Sequence, residues 1–255
     1  MLLKDKVAVV TGGGRGIGEA ITLSFSRHGA KVALLDKNLA RAVDTAARIE
    51  GEAGNPVVPF QVDITDYAGV KKVMDDVAGH FGRVDLLVNN AGWDIMQPFL
   101  ENSPEVISGI IDLNLKGHIN CCHCAVPKMI TSGGGKIVNI SSDAGRIGAY
   151  GETVYAAAKG GLIAFTKSLA IELAGYGICV NSVAPGPTET PMLLKGMEIS
   201  QLACEVLEER KRLTPFKRFA RPGEIADAVL FFASPMADYV TGQVISVSGG
   251  LTMAG

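Results

Sequence analysis

The chain has 255 residues, of which 47% are hydrophobic and 20% are charged, and its formal net charge is −2. A chain of this length can form one α/β domain with a buried core, or at most two small domains. This charge balance gives no electrostatic reason to expect a nucleic acid or an anionic membrane as a partner.

Signals for secretion or membrane insertion are not expected from the sequence. No apolar run approaches the roughly 20 residues that span a bilayer. Lys4, Asp5 and Lys6 lead straight into an apolar stretch, without the pattern of a signal peptide. The cysteines number five, which suits a reducing compartment better than a disulfide framework. We therefore expect a cytoplasmic protein.

Strand-like and helix-like segments alternate along the chain. Apolar runs occur at 7–10, 32–35, 57–62, 85–89, 136–140, 178–183 and 243–247. Amphipathic segments of helical length lie near 17–28, 39–51, 67–81, 104–130, 153–174 and 223–233. The apolar runs show little polar alternation, as expected of strands covered on both faces. This pattern predicts an α/β fold, a single-domain Rossmann-type doubly wound parallel sheet of seven strands.

Two segments need separate interpretation. Region 185–221 breaks the alternation, and we expect it to be a long irregular segment that covers a substrate site. The cluster Cys121-Cys122-His123-Cys124 resembles a metal-binding sequence. However, it lies in an expected helix, where neighbouring side chains point about 100° apart and cannot converge on one ion. We expect core cysteines and no metal.

A glycine-rich turn follows the first apolar run. The stretch TGGGRGIG at residues 11–18 does not fit Gly-x-Gly-x-x-Gly, but it fits Thr-Gly-x-x-x-Gly-x-Gly. Glycines let the backbone approach a phosphate closely, and the helix that follows directs free N–H groups at that anion. We therefore predict that cofactor-binding residues are Gly12, Arg15, Gly16, Ile17 and Gly18.

Asp36 ends the second expected strand, 18 residues after Gly18. A carboxylate there can accept both hydroxyls of an adenosine ribose and would repel a 2′-phosphate, which favours NAD. The alternative is a helix N-cap or a simple turn residue. Nearby Arg15 and Lys37 could offset the repulsion and admit NADP.

Tyr155 and Lys159 stand at i and i+4, which places them on one face of a helix. A free tyrosine titrates near pH 10, and a neighbouring ammonium is expected to move its pKa toward neutrality. Ser142, at the end of the 136–140 strand, can donate a hydrogen bond to a carbonyl oxygen. The alternative for the Tyr/Lys pair is a surface pair of long side chains.

Together these motifs resemble the short-chain dehydrogenase/reductase superfamily over nearly the whole chain. The resemblance rests on the glycine turn, DITD at 63–66, NNAG at 89–92, Asn114, Ser142, Tyr155-x-x-x-Lys159 and PGPTET at 185–190. It implies that Tyr155 is the general acid/base and that Ser142 orients the substrate oxygen. Lys159 would hold the nicotinamide ribose, and Asn114 would hold a relay water. The resemblance further implies that the cofactor cleft includes Asp63, Ile64, Asn90, Ala91, Gly92, Pro185, Gly186 and Thr188.

Less general residues suggest a substrate. NNAGWD, GETVYAAAKGG and the C-terminal TGQVISVSGGLTMAG resemble dehydrogenases of 2-hydroxycyclohexane-1-carboxyl-CoA more closely than 3-oxoacyl-ACP reductases. The resemblance implies NAD-dependent oxidation of a cyclic hydroxyacyl-CoA, a homotetramer packed through the C-terminal tail, and substrate contacts from Trp93, Asp94 and Glu152. The alternative for Trp93 is a packing residue at the edge of a pocket. The alternatives are a 3-oxoacyl-ACP or -CoA reductase, another alcohol dehydrogenase, a lyase or epimerase, and a non-catalytic partner subunit.

Region 185–221 supplies a reason of its own for a CoA thioester. Residues 190–207 are apolar enough to close over a carbocycle and exclude water. Cations that could hold CoA phosphates follow at Arg210, Lys211, Arg212, Lys217, Arg218 and Arg221. The alternative is a solvated helix face balanced by Glu205, Glu208 and Glu209.

Overall fold

The computed structural model describes residues 1–253, and within them the chain forms one seven-stranded sheet in which every strand pair is parallel. The strand order is β3-β2-β1-β4-β5-β6-β7. The strands are β1 (Val7–Thr11), β2 (Lys31–Asp36), β3 (Val57–Gln61), β4 (Leu86–Asn89), β5 (Gly135–Ile140), β6 (Ile178–Pro185) and β7 (Val244–Val247). The predicted doubly wound sheet of a single α/β domain is confirmed.

Helices cover both faces of this sheet. They are α1 (Gly16–Arg27), α2 (Leu39–Ala53), α3 (Tyr67–Phe81), α4 (Pro104–Ile111), α5 (Gly117–Thr131), α6 (Ala144–Ile147), α7 (Thr153–Leu173), α8 (Pro191–Ile199), α9 (Gln201–Leu213) and α10 (Pro222–Ala233). None of these helices, in the part of the chain described, is long and apolar enough to cross a membrane.

The sheet separates two hydrophobic cores. On one face α1, α2 and α10 pack against the strands, with Phe25 and Phe232 fully buried. On the other face α3, α5 and α7 contribute side chains such as Met74 and Met129. Full burial of side chains of this size stabilises a fold by roughly 1.5–3 kcal/mol each. The strands are therefore apolar on both faces, as the sequence pattern predicted.

The cysteines of α5 belong to the second core. Cys121 and Cys122 are buried within it, and the Sγ of Cys122 accepts a hydrogen bond from Asn89 Nδ2 at 3.1 Å. Burial raises the pKa of the Cys122 thiol to about 12, so this thiol is a neutral core group.

The helical segment expected over 104–130 is confirmed, but it is not a regular α-helix throughout, because a π-helical turn at Asp112–Lys116 lies between α4 and α5. In this turn Asn114 Nδ2 donates to the carbonyl of Ile110 at 3.0 Å and to that of Trp93 at 2.6 Å. Single π turns inside α-helices are rare and are found frequently at functional sites. The turn fixes Asn114 against the loop that follows β4.

The expected irregular structure of 185–221 is wrong for most of its length, since this region contains α8 and α9. The hydroxyl of Thr190 accepts from Leu193 N at the start of α8, and the hydroxyl of Ser200 accepts from Ala203 N at the start of α9. Both are N-caps of the usual Ser/Thr type. The two helices stand beyond the carboxyl end of β6.

The direction of winding changes between β1 and β4, where the chain crosses from β3 over β2 and β1. At such a point the loops after the two neighbouring strands diverge and leave a crevice at the carboxyl edge of the sheet. The glycine turn follows β1, and the NNAG segment includes the end of β4. Both motifs are therefore placed at the crevice by topology alone.

Candidate active site

A cleft of about 440 Å³ runs along the carboxyl edge of the sheet. It brings together most of the residues predicted from the sequence. Those that line it are Gly12, Arg15, Gly16, Ile17, Asp36, Asp63, Ile64, Asn90, Ala91, Gly92, Trp93, Asp94, Ser142, Glu152, Tyr155, Lys159, Pro185, Gly186 and Thr188. The predicted residues Gly18 and Asn114 do not line the cleft and support residues that do.

The glycine turn has the conformation that the sequence predicted. Gly12 and Gly16 have φ of +62° and +59°, a left-handed backbone that other residues rarely adopt. A Cβ on Gly18 would lie 2.2 Å from the carbonyl oxygen of Gly12, so this position accepts only glycine. The N-cap of α1, Arg15, makes no side-chain capping hydrogen bond, which leaves the first N–H groups of the helix free for an anion. This cradle fits the pyrophosphate of a dinucleotide.

At one end of the cleft, Asp36 is buried and already holds several donors. Its Oδ2 accepts from Gly14 N at 3.1 Å, and its Oδ1 accepts from Asn38 N at 2.9 Å. Arg41 Nη2 forms an ion pair with Oδ1 at 2.6 Å. Each carboxylate oxygen has two acceptor sites, so Oδ2 retains one for a ribose hydroxyl. Lys37, one of the two cations that could have offset Asp36, pairs with Asp63 at 2.6 Å instead.

Tyr155 and Lys159 project from the first turns of α7 toward the ends of β4 and β5. Lys159 is buried, and its Nζ lies 5.6 Å from the centroid of the Tyr155 ring. The same Nζ donates to the carbonyl of Ile140 at 2.9 Å, which fixes the lysine beneath the cleft. Burial lowers the pKa of Lys159 to about 7. Ser142 is hydrogen-bonded to Tyr155, so the two hydroxyls lie side by side.

The pKa of Tyr155 shifts in the direction opposite to the expectation. Burial raises this pKa above its ordinary value of 10.0, and the carboxyls of Glu152 and Asp94 raise it further. The hydrogen bond with Ser142 and the charge of Arg210 offset this effect only in part. The side chain is therefore a phenol at neutral pH, the form that can donate a proton to a substrate oxygen.

Asn114 and His118 support the floor of the cleft. Both amide hydrogens of Asn114 are used on carbonyls, and its buried Oδ1 has no partner among the described residues. This oxygen would lie 2.9 Å from a Cβ on Gly92, a position that is also 3.7 Å from Lys159 Nζ. One helical turn after Asn114, the buried His118 donates from Nε2 to the carbonyl of Ala91 at 2.7 Å. Burial lowers the pKa of His118 to about 3, so it is a neutral support for the cofactor loop.

The other end of the cleft holds charged residues beside Tyr155. Glu152 and Arg210 form an ion pair at 3.0 Å, with 13% and 19% of their side chains exposed. Burial raises the pKa of Asp94 to about 8, and the charge of Glu152 contributes to this rise. Trp93 is 39% exposed and also lines the cleft, which places it at the rim. The predicted substrate residues thus share one end of the cleft.

Of the six cations after residue 209, the cleft lining includes Arg210 alone. Lys211 pairs with Glu208, and Arg212 pairs with Glu209. Arg218 and Arg221 both pair with Glu224, while Lys217 Nζ donates to a backbone carbonyl. Lys211 and Arg212 match the alternative of a solvated helix face balanced by glutamates, whereas Arg218 and Arg221 share one glutamate.

Three residues of the site were missed or misplaced by sequence reasoning. Arg41 stands five residues after Asp36 on the exposed start of α2, and His118 stands four residues after Asn114. Their short distances in sequence from Asp36 and Asn114 are the signal that could have identified Arg41 and His118. Arg210 was placed among surface cations, and nothing in its local sequence distinguishes it from Arg212.

Comparisons with known proteins agree with this geometry. A family model described as enoyl-(acyl carrier protein) reductase matches residues 12–252. The 3-oxoacyl-(acyl-carrier-protein) reductase FabG of Thermotoga maritima is 41% identical over 258 residues, covering 99% of this chain and all of the relative. FabG of Chlamydia muridarum is 39% identical over 98% of both chains. The crystal structure of levodione reductase superposes with a TM-score of 0.93 at 31% identity, covering 97% of this chain and 98% of that one.

Proposed function

Because this chain belongs to the short-chain dehydrogenase/reductase superfamily and is an oxidoreductase acting on CH–OH groups, we propose that it reduces a 3-oxoacyl thioester to the 3-hydroxyacyl thioester. A nicotinamide dinucleotide, when bound, supplies the hydride. Tyr155 supplies the proton to the oxygen of the reacting carbonyl. The names of the similar proteins favour this reductase function over the cyclic acyl-CoA dehydrogenase expected from the sequence.

The observation that carries the proposal is the pairing of Tyr155 and Ser142 over a buried Lys159. Two adjacent hydroxyls can bind one carbonyl oxygen and polarise it. Since burial and the nearby carboxyls hold Tyr155 as the phenol, it is in the form that donates a proton to a ketone oxygen. Lys159 Nζ and the Oδ1 of Asn114, which has no partner among the described residues, both lie close to Gly92. We propose that a proton relay through these two groups reprotonates Tyr155 after each turnover.

For the cofactor we propose NAD. Asp36 keeps an acceptor site on Oδ2 for a ribose hydroxyl, and its charge opposes a 2′-phosphate. Arg41 is the competing influence, because its ion pair with Asp36 offsets part of that charge and its buried Nε has no partner among the described residues. The balance between these two side chains decides between NAD and NADP.

For region 185–221 we propose a substrate-covering role, now as helices rather than as an irregular segment. Met192, Leu193 and Leu207 line the cleft and supply its apolar wall. An apolar wall also suits the ring of a second candidate substrate, whose reaction is oxidation of a cyclic hydroxyacyl-CoA such as 2-hydroxycyclohexane-1-carboxyl-CoA. The surface cations give little support to a CoA handle, because Lys211, Arg212, Arg218 and Arg221 are engaged by neighbouring glutamates.

The test compares substrates with one enzyme preparation. We would measure kcat/KM for acetoacetyl-CoA, 2-oxocyclohexane-1-carboxyl-CoA and both free acids by nicotinamide absorbance, with NADH and with NADPH. The reductase proposal expects the straight-chain thioester to be preferred over the cyclic one by about tenfold or more, equal to about 1.4 kcal/mol of transition-state binding. The reverse preference would establish the cyclic candidate, and NADPH preference would contradict the cofactor assignment.

A homotetramer and a cytoplasmic location remain predictions. The expected intersubunit packing of the C-terminal tail falls partly on residues 254–255, which lie outside the described residues. Light scattering on the purified protein would establish the number of subunits.

A further inference from the structure

The substrate end of the cleft contains an ion pair that the reaction chemistry does not require. Glu152 immediately precedes α7, and Arg210 is in the last turn of α9, so the pair bridges the catalytic helix and the covering helix. Arg210 Nη1 lies 3.0 Å from Glu152 Oε2, and both side chains are mostly buried. Taking two charges out of water is costly, so a pair in this position calls for an explanation.

The pair leaves hydrogen-bonding capacity unused inside the cleft. Arg210 Nη2 is buried and has no partner among the described residues. Asp94 Oδ1, in the same cleft lining, is also buried without a partner. Buried polar atoms are nearly always hydrogen-bonded, so an exception in a cleft needs a partner, which a bound ligand can supply. The charge of Arg210 acts on Tyr155, which is hydrogen-bonded to Ser142, so a ligand at this end of the cleft that reaches Arg210 is the substrate rather than the cofactor.

The charges limit what kind of oxygen can complete the site. The positive charge of Arg210 is already matched by Glu152. A carboxylate on the substrate would therefore add an unmatched negative charge beside the carboxylate of Glu152. A carbonyl oxygen without charge accepts the same hydrogen bond at no such cost.

We propose that Arg210, held in place by Glu152, is a specificity residue whose Nη2 donates to an uncharged second carbonyl of the substrate. In the proposed reaction, on which this inference rests, that group is the acyl carbonyl of the thioester. The pocket thus selects a 3-oxoacyl thioester over the free 3-oxo acid and over a ketone without a second oxygen. Glu152 acts through Arg210 as a positioning residue.

Three substrates without a CoA handle test this inference: the N-acetylcysteamine thioester of acetoacetate, acetoacetate itself and 2-pentanone. The Arg210→Lys variant keeps the charge that balances Glu152 but lacks the planar fork of two nitrogens. We expect it to lower kcat/KM for the thioester by about tenfold or more, while the value for 2-pentanone changes by less than about threefold. Arg212→Lys, at a surface ion pair on the same helix, is the matched control and should change neither.

Several outcomes would overturn the inference. They are equal losses for thioester and ketone in Arg210→Lys, no loss for either, or a wild-type enzyme that reduces acetoacetate as well as the thioester. If 2-pentanone is turned over too slowly to compare, the thioester loss must occur with an unchanged dissociation constant for NADH. If Arg210→Lys does not fold, the double variant Glu152→Gln with Arg210→Met removes both charges and gives the same comparison. Wild-type enzyme inactive on all three substrates would instead contradict the proposed function.

Discussion

Asp94 makes the stability of this protein depend on pH in a direction that is unusual for an aspartate. Its pKa is raised from 3.8 to about 8 in the folded protein, first by burial and then by the charge of Glu152. Between these two values the native carboxyl keeps a proton that the unfolded chain loses. A group with a raised native pKa contributes its stability fully below the unfolded pKa, and this contribution is lost as the pH rises toward the native pKa.

Asp94→Asn removes this titration and keeps the size of the side chain. Each pH unit within the window corresponds to about 1.4 kcal/mol. From about pH 5 to about pH 7, wild type should therefore lose about 2–3 kcal/mol of unfolding free energy relative to the variant. Other groups with shifted pKa values, His118 and Lys159, are common to both proteins and largely cancel in the difference.

The assay is urea unfolding followed by far-UV circular dichroism, at one fixed protein concentration because any assembly of subunits contributes to stability. Asp76→Asn is the control, since Asp76 is an exposed aspartate paired with Lys72, and its difference from wild type should stay within about 0.5 kcal/mol. Parallel stability curves for wild type and Asp94→Asn would refute the reasoning, because they would mean that Asp94 is ionised in the native protein near neutrality.

Three further predictions concern the cleft. Tyr155→Phe should lower kcat by about 10²–10⁴-fold while NADH still binds, because only the proton-donating oxygen is lost; near-normal turnover would remove Tyr155 from its role. Asp36→Ala should narrow the preference of kcat/KM for NAD over NADP, and Arg41→Met should widen it, whereas shifts in the same direction would show that the two side chains do not oppose each other. Gly18→Ala should weaken NADH binding by about tenfold or more in a fluorescence titration, because the new Cβ meets a backbone carbonyl at 2.2 Å. Gly51→Ala, in open space on α2, should instead raise the free energy of unfolding by about 0.5–1 kcal/mol without affecting binding.

The order of strands and helices could be predicted because each strand carries its own signal. All five residues of β1 and all four of β4 are buried, and all but the last residue of each strand are apolar, so these segments differ from the amphipathic segments between them. The glycine turn was predictable for a related reason. Gly12 has a left-handed backbone, and Gly18 lies too close to another backbone segment to carry a Cβ. Glycine is the residue type that satisfies both requirements.

The π turn at Asp112–Lys116 could not be predicted in this way. Its sequence, DLNLK, continues the helical pattern on both sides. What distinguishes Asn114 is that its amide meets the carbonyl of Trp93, from a loop 21 residues earlier in the chain. A turn that depends on so distant a contact gives no signal in the local hydrophobic periodicity of the sequence. The helices α8 and α9, in contrast, do have local sequence signals. Thr190 before Pro191 and Ser200 before Gln201 are ordinary N-cap residues from which both helix starts could have been predicted.

The chemistry of Tyr155 shows the same division between local and distant contacts. The spacing to Lys159 correctly predicted that the ammonium lies near the phenol ring, at 5.6 Å from its centroid. It did not predict the sign of the pKa shift, because burial and the carboxyls of Glu152 and Asp94 raise this pKa, and both carboxyls come from loops outside α7. Arg210, from a third segment, then moderates those carboxyls. The proton donor is thus identified by one helix, whereas its protonation state at neutral pH is set by three segments that meet only in the folded protein.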